Sequence, residues 1–300
     1  MSLVVAGYDY EMFYDSKIDN GIFAISDSAI TSHQGGRTLL NGFRKVYELE
    51  AKIWKPSFYP DGGFIDYLNI YETFPFLIGF AGSTLTVQHI LNSITGHLEK
   101  LKIIDIKREP NTISPIKYKI VAPCEENHLI TSSMINSYDE STFLDSDYKN
   151  LVTGELIAEF ISHSINTALK SASSYKLDIE EFNSMYTDLF CGIWCPQKKE
   201  HEIYIYRMKS KRNEEGILYA YTEKEYLNKD KIAVLGMRTK FEKNAQLIYK
   251  KALENKHKPS IEAYNFLNTC IDEVQESGSK EIDRPVSFRK LNKYKITRLK

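Results

Sequence analysis

The second residue of the chain is a serine, and its hydroxyl could serve as an N-terminal nucleophile. Met1-Ser2 is followed at once by the apolar run Leu3-Val4-Val5, so the hydroxyl stands directly before a predicted strand. If Met1 is removed, Ser2 carries a free α-amine, whose pKa of about 7.7–8.0 allows it to accept a proton at neutral pH. Such a base can activate the adjacent hydroxyl for acyl transfer. The alternative is that Ser2 is an ordinary residue ahead of a strand.

The cysteines and histidines do not show the spacing of a metal site. Cys191 and Cys195 are the one close pair among four cysteines, whereas sequence-recognisable zinc sites usually contain two such pairs. We therefore expect free, buried thiols. The seven histidines are scattered. His89 and His97 share a predicted helix, where a packed or solvated pair is the ordinary arrangement. We predict no metal and no cofactor.

The composition argues against several classes of partner. The chain has 39 basic and 40 acidic residues and a formal net charge of −1, so no overall field favours nucleic acid or an anionic membrane. The most apolar stretch, residues 74–82, is far shorter than the roughly 20 residues of a membrane-spanning helix. The first residues lack the pattern of a secretory signal. We expect a cytoplasmic protein with no nucleic-acid and no membrane partner.

Hydrophobic periodicity predicts the elements that would position Ser2 and the rest of the chain. The first part reads as strands at 3–10, 21–27, 43–49 and 74–82, an extended hairpin at 10–20, an irregular excursion at 52–71, and a helix from Ser83 to about 100. After an insertion at about 103–150 come a helix at 151–173, strands at 189–195, 202–208, 216–221 and 231–237, helices at 239–255 and 259–275, and closing strands at 285–299.

This order of elements predicts one α/β (α+β) domain spanning residues 1–300. Two pairs of helices alternate with runs of hairpin-like strands, and each apolar sheet face and helix stripe must be buried against another element. We therefore expect a four-layer αββα sandwich, in which two antiparallel sheets are flanked by helices.

Four short stretches in order carry a resemblance to a known family: SLVVAG, GIFAISDSAITS, FRKVYEL and IGFAGSTLTVQHIL. Together they resemble the proteasome β-subunit group, including its simpler bacterial relatives, within the N-terminal nucleophile hydrolase superfamily. The resemblance covers residues 2–95, and the order of helices and strands extends it more loosely. An acid at Asp27 and the lack of an N-terminal helical extension are typical of β-type rather than non-catalytic α-type subunits.

The resemblance implies a catalytic role for four residues. Ser2 would be the nucleophile, Asp27 a buried acid at the end of the second strand, and Lys45 the lysine beside the nucleophile. Gly82 would offer its backbone N–H to the developing oxyanion. An Asp–Lys ion pair would keep the acid charged and lower the pKa of the neighbouring hydroxyl and amine. Taken singly, the last three have ordinary explanations, as a strand-end turn residue, a solvated lysine and a turn glycine.

The resemblance also implies four substrate-binding residues. Thr31 matches the position that holds an extended substrate by its backbone. Ile30, Phe80 and Thr84 match positions that line the first specificity pocket. An aromatic ring at Phe80 would leave a restricted, apolar pocket.

The chain departs from the β-subunit pattern in the length of the hairpin before Gly21, in the longer connection at 103–150, and at two sets of catalytic positions. Met237 stands where the pattern has a serine after a strand-end glycine. The second acid and serine of the pattern, which orient the free amine, have two candidate segments, Glu276-Ser277-Gly278 and Lys280-Glu281-Ile282-Asp283. The sequence does not choose between them.

Three functions are consistent with these observations. The first is an N-terminal-serine hydrolase of the proteasome type, a threonine/serine-type endopeptidase that cleaves peptide or amide bonds. The second is a catalytically degenerate structural or interaction subunit, and the third is an amidohydrolase acting on a small molecule. The resemblance implies a homo-oligomer, a ring or an open spiral, that assembles through the exposed faces of the helices. A regulatory ATPase partner is left open.

Overall fold

The structure is a computed structural model that describes residues 2–13, 16–31, 38–106, 116–131, 142–171, 174 and 177–299. The strands in it are β1 (Leu3–Phe13), β2 (Ser16–Ser26), β3 (Ile30–Thr31), β4 (Thr38–Leu40), β5 (Val46–Phe58), β6 (Phe64–Gly82), β7 (Leu101–Asp105), β8 (Tyr118–Val121), β9 (Thr187–Cys195), β10 (Glu200–Arg212), β11 (Leu218–Tyr226), β12 (Ala233–Gly236), β13 (Ser287–Asn292) and β14 (Lys295–Arg298). The helices are α1 (Thr84–Leu98), α2 (His128–Thr131), α3 (Gly154–Lys170), α4 (Ile179–Met185), α5 (Arg238–Glu254) and α6 (Pro259–Glu276), with a 3₁₀ turn at Asp145–Tyr148.

The smaller sheet contains the start of the chain at its interior. Its strand order is β12-β1-β2-β13-β14, and each neighbouring pair is antiparallel. The predicted strands at 3–10 and 21–27 are confirmed as β1 and β2, which pair from Val4↔Ser26 outward. The turn of this hairpin, residues 14–15, lies outside the described residues. Because β1 has a partner on both sides, the backbone that follows Ser2 is fixed by two ladders of hydrogen bonds.

The larger sheet is built around a long hairpin that the sequence analysis missed. Its order is β11-β10-β9-β6-β5-β7-β8, and β5 and β6 are 13 and 19 residues long. The predicted irregular excursion at 52–71 is therefore wrong. Pro56 lies where the register of β5 against β6 shifts between Lys55 and Ser57, so a bulge accommodates the proline within the strand. Gly62 lies in the turn that joins the two strands.

The predicted four-layer sandwich of two antiparallel sheets is also wrong. The larger sheet is mixed, because β7 pairs with β5 in parallel through Ile53↔Leu101. The β5–β6 hairpin is bulged at three places, which increases its twist and curls the sheet. A separate two-stranded sheet, β3-β4, lies outside both. The described residues form a mixed α+β fold rather than regular layers, because bulges and a parallel pair are not visible in hydrophobic alternation.

Three apolar clusters hold these elements together. The largest joins the larger sheet to α1 and α3, the second joins the smaller sheet to α5 and α6, and the third lies between the two sheets. The third cluster contains Val4 and Tyr8 of β1, packed with residues such as Phe190 and Ile203 of the larger sheet. Burial on both faces makes the smaller sheet a rigid support for the chain start.

Helix boundaries follow ordinary capping rules. The four long predicted helices are confirmed as α1, α3, α5 and α6. Ser83 caps α1 by accepting a hydrogen bond from Thr86 N, and Thr153 caps α3 by accepting one from Leu156 N. Pro259 occupies the first position of α6, where a missing N–H costs nothing. Within the described part of the chain, no helix combines the length and the apolar character needed to cross a membrane.

Candidate active site

Asp27 is fixed beside the start of the chain by its own backbone and its neighbours. It follows β2 directly and is completely buried. Its backbone N–H donates to Leu3 O at 3.2 Å, and its carboxylate accepts hydrogen bonds from Leu3 N at 2.8 Å and Ala29 N at 3.0 Å. The carboxylate is therefore held against the peptide group that links Ser2 to Leu3.

Lys45 completes a buried ion pair with this carboxylate. Its Nζ lies 2.8 Å from both oxygens of Asp27, and the two side chains are 1% and 0% exposed. Burial lowers the pKa of the Lys45 ammonium, while the charge and the hydrogen bonds of Asp27 oppose the shift. The Lys45 carbonyl accepts from Phe80 N at 3.0 Å, so β6 anchors the lysine backbone at the point where β5 begins.

Ser2 directly precedes β1 and lies beside the end of β12, just before α5 begins. It is 7% exposed, and its carbonyl accepts a hydrogen bond from Met237 N at 3.0 Å. A Cβ at Gly236 would lie 1.8 Å from Ser2 O, and the backbone there has φ +87°, so glycine is required for this close approach. Met1 lies outside the described residues.

The end of β6 reaches the same region. The Cβ that Gly236 lacks would also lie 3.1 Å from the Cβ of Ala81, the residue before Gly82. Gly82 itself has φ +130°, and a Cβ there would lie 2.1 Å from Tyr186 O. Position 82 therefore requires glycine. Because Ser2 O and Ala81 Cβ both lie close to Gly236, the end of β6 is also close to the Ser2 backbone.

The four residues matched to substrate binding lie in three settings. Ile30 and Thr31 form the short strand β3 and are half-buried, and Thr84 is the half-buried first residue of α1. Phe80 is 2% exposed, and its ring packs at 6.2 Å from the rings of both Phe43 and Tyr47. Phe80 therefore belongs to an aromatic cluster of the core, whereas the other three residues have partly accessible side chains.

The sequence offers two candidate segments for the second acid. One of them, Lys280-Glu281-Ile282-Asp283, lies beside Asp27. The Asp283 carbonyl accepts from Ser28 N at 3.2 Å, and its carboxylate accepts from Asn41 Nδ2 at 3.0 Å and Gln275 Nε2 at 2.8 Å. The Asn41 hydrogen bond is the main reason that the pKa of Asp283 is lowered. The other segment, at Ser277, follows the end of α6, where its hydroxyl donates to Val274 O.

A second buried carboxylate, missed by the sequence analysis, lies next to the end of β6. Asp188 is 1% exposed, and Ala81 is its cross-strand partner. It accepts hydrogen bonds from Arg207 Nη1 at 3.1 Å and Met208 N at 3.3 Å. Sequence offers no signal for it, because an acid at the start of a strand usually faces solvent. Next to Asp27 in the chain, Ser28 Oγ is buried with no hydrogen-bond partner among the described residues.

No protein-family model matches the chain, and no curated protein matches it. Among solved structures, it is similar to an Anbu (Gly-1) mutant from Hyphomicrobium sp. strain MC1, with 10% identity, a TM-score of 0.46, and coverage of 99% of this chain and 85% of that one. It is also similar to Anbu (ancestral beta-subunit) from Yersinia bercovieri, with 11% identity, a TM-score of 0.44, and coverage of 99% and 86%.

The predicted membership of the proteasome β-subunit group is therefore wrong. No family model supports it, and the similar solved structures carry a separate name, Anbu, at identities of 10% and 11%.

Proposed function

We propose that the chain is an N-terminal-serine hydrolase that cleaves peptide or amide bonds after removal of Met1. The observation that carries the proposal is the set of hydrogen bonds at Asp27. One buried carboxylate binds both the Lys45 ammonium at 2.8 Å and the N–H of Leu3 at 2.8 Å, one residue from the candidate nucleophile. A fully buried ion pair is costly to build, and buried ionisable groups with a specific charge partner are enriched at functional sites.

In this mechanism the Ser2 α-amine accepts the hydroxyl proton while Oγ attacks the carbonyl carbon of the substrate. The Gly82 N–H stabilises the resulting oxyanion. The amine then returns the proton to the leaving nitrogen as the C–N bond breaks, which leaves an ester on Ser2. Water, deprotonated by the same amine, hydrolyses the ester and restores the hydroxyl. The positive charge of Lys45 keeps the pKa of the amine and the hydroxyl low.

Thr31 would hold an extended substrate by its backbone, with Ile30 and Thr84 beside the first side chain of the substrate. Phe80 would form the floor of that pocket and limit it to compact apolar groups. The half-buried state of Ile30, Thr31 and Thr84 supports this assignment, since their side chains remain partly accessible. Because Phe80 is buried in an aromatic cluster, it would limit the depth of the pocket from behind the other three residues rather than through contact with the substrate.

The decisive experiment begins with the intact mass of the purified, untagged chain, which reports whether Met1 has been removed. The processed protein is then incubated with a panel of fluorogenic peptides and with an acylating probe for activated hydroxyls. We expect labelling on the N-terminal peptide, loss of turnover in Ser2→Ala, and partial retention in Ser2→Thr. Ser184→Ala, an exposed serine on α4, is the matched control and should keep full activity. Retained Met1, or Ser2→Ala activity equal to wild type, would refute the proposal.

The second candidate is a subunit without turnover, and Met237 favours it. The N–H of this residue donates to Ser2 O, but its thioether side chain offers no hydroxyl that could orient the Ser2 α-amine. Under this alternative the acylating probe labels nothing, Ser2→Ala behaves as the wild type does, and the ion pair is purely structural. The two candidates thus predict opposite results in the probe labelling, whether or not Met1 has been removed.

Assembly through the outer helix faces is a further part of the proposal. Leu85 of α1 is 85% exposed, and Leu247 of α5 and Ile261 of α6 are about half exposed. We propose that Leu85, the most exposed of these side chains, takes part in a contact between copies of the chain in a cytoplasmic homo-oligomer. Light scattering should report a species larger than one chain at micromolar concentration, and Leu85→Lys should weaken it.

A further inference from the structure

Three potential metal ligands that are far apart in sequence meet between α1, α3 and the turn after β8. One ligand atom each of His97, Cys124 and His163 lies within 4.8 Å of the others. Cys124 Sγ is 3.1 Å from His163 Nε2, and the two imidazole rings lie 5.4 Å apart. His97 is on the last turn of α1, about 20 Å along the helix from Ser83. The group is therefore distinct from the candidate active site.

A buried serine sets which nitrogen of His97 is free. Ser164 is completely buried, and its hydroxyl donates to Phe160 O at 2.7 Å. His97 Nδ1 lies 2.9 Å from the same hydroxyl oxygen. Because the hydroxyl proton is already used, Nδ1 must carry the hydrogen and donate it. The lone pair of His97 is then on Nε2, which is the form that a metal ligand needs, with its second nitrogen held by the protein.

The turn that contains Cys124 is held by hydrogen bonds between its own residues. Ala122 N donates to the Glu125 carboxylate at 2.8 Å, and Glu125 N donates back to Ala122 O at 3.0 Å. Just beyond it, Asn127 donates to the Tyr67 hydroxyl at 3.0 Å. All three ligands thus stand on fixed elements, as a pre-organised metal site requires.

One ligand pair, Cys124 Sγ and His163 Nε2, already lies close to the spacing that zinc requires, and His97 is near enough to complete the set after a side-chain adjustment. Zn–S and Zn–N bonds of about 2.3 and 2.0–2.1 Å at a tetrahedral angle separate the two ligand atoms by about 3.6 Å. The Sγ–Nε2 distance of 3.1 Å is within half an ångström of that value, which a rotation of the exposed Cys124 side chain can supply. One thiolate and two imidazoles are ligands that zinc favours over calcium or magnesium.

We propose that His97, Cys124 and His163 bind one Zn²⁺ ion, with the fourth position open to solvent. The ion would tie the segment after β8 to the α1–α3 pair, since two ligands come from the helices and one from the turn. Ser164 acts as a positioning residue that holds His97 in its ligating form. Single-sequence reading missed the site because the three residues lie 27 and 39 positions apart, with no Cys-x-x-Cys or His-x-x-x-His pair.

The test is a zinc titration of the untagged, chelator-treated chain in competition with a chromophoric chelator. We expect one equivalent bound, and a thiolate-to-metal charge-transfer band when Co²⁺ replaces Zn²⁺. Cys124→Ser and His163→Ala should lose the high-affinity equivalent, and Ser164→Ala should weaken it about 10- to 100-fold. His89→Ala, an exposed histidine on the same helix, is the matched control and should bind as the wild type does.

Thiol reactivity gives a second readout that needs no variant to fold. Cys124 is the one exposed cysteine, while Cys191, Cys195 and Cys270 are buried. A thiol reagent should therefore modify one cysteine quickly in the folded chain, and one equivalent of Zn²⁺ should protect it. Equal reaction rates with and without Zn²⁺, or unchanged zinc binding in a folded Cys124→Ser variant, would overturn the proposal.

Discussion

Removal of the Lys45 charge should destabilise the fold strongly. Lys45→Met deletes both hydrogen bonds from Nζ and leaves the Asp27 carboxylate with only the backbone N–H groups of Leu3 and Ala29. The carboxylate is 0% exposed, so water cannot replace the ammonium. Loss of one partner from a buried pair costs about 3–5 kcal/mol. At about 2 °C per kcal/mol for a chain of this size, the Tm should fall by about 6–10 °C.

The double variant Asp27→Asn/Lys45→Met separates charge burial from packing. With neither charge present, the free energy of unfolding should rise above that of Lys45→Met but stay about 1–3 kcal/mol below wild type, because the amide introduced at position 27 can accept from only one of the Leu3 and Ala29 N–H groups. The cycle is measured by urea denaturation and calorimetry. Under the proposed mechanism, hydrolytic activity should be absent in the single and the double variants alike, so recovered stability without recovered turnover assigns the pair to chemistry.

Lys240→Met is the matched control for this cycle. Lys240 pairs with Glu273 at 3.0 Å, but the two side chains are 39% and 54% exposed, so its loss should cost less than about 1 kcal/mol. A loss in the free energy of unfolding that is no larger for Lys45→Met than for Lys240→Met would contradict this prediction. The prediction also fails if the double variant is as unstable as the sum of the two single variants, because the charges would then not be coupled.

Three further predictions concern backbone, hydrogen bonding and pH. Gly82→Ala should destabilise the chain by about 1–3 kcal/mol, since φ is +130° and the new Cβ would meet the Tyr186 carbonyl, whereas Gly96→Ala, in open space on α1, should be neutral or stabilising in the same denaturation assay. Tyr8→Phe should cost about 1–3 kcal/mol by calorimetry, because the buried hydroxyl bonds two backbone groups at 2.9 and 3.0 Å. Stability should fall above about pH 10, where tyrosines of the unfolded chain lose protons that the folded chain keeps, by up to about 1.4 kcal/mol per pH unit for each tyrosine. In a spectrophotometric titration, the share of the phenolate absorbance that belongs to five of the 20 tyrosines should be delayed until unfolding, since burial raises the pKa of Tyr8, Tyr148, Tyr204, Tyr206 and Tyr249.

Helices and helix ends that depend on neighbouring residues could be predicted from the sequence. The helix after Ser83 was predictable from its apolar face and its cap, and the break between α5 and α6 from Pro259. The β5–β6 hairpin was not, because Pro56 reads as a strand breaker unless the bulge that contains it is known. The parallel pairing of β5 with β7 depends on a crossover through α1 that hydrophobic alternation does not record.

In the candidate site, too, the contacts between residues distant in sequence could not be predicted from local patterns. Nothing in the local sequence required Asp27 and Lys45 to meet, and their expected proximity came only from the resemblance. The structure brings them to 2.8 Å, while their roles remain predictions. Asp188 and the group at His97 depend on contacts between strands or helices distant in sequence, so no single-sequence pattern indicates them.

The interior position of β1 has a consequence for synthesis on the ribosome. Its two neighbours are β2, a few residues later, and β12, more than two hundred residues later. The other edge of β2 pairs with β13, which begins at Ser287 and is therefore synthesised late. A nascent chain can therefore close the first hairpin early, but the surroundings of Ser2 stay open until nearly all of the described chain has emerged. Any chemistry at the first residues would thus be withheld until the whole sheet has closed.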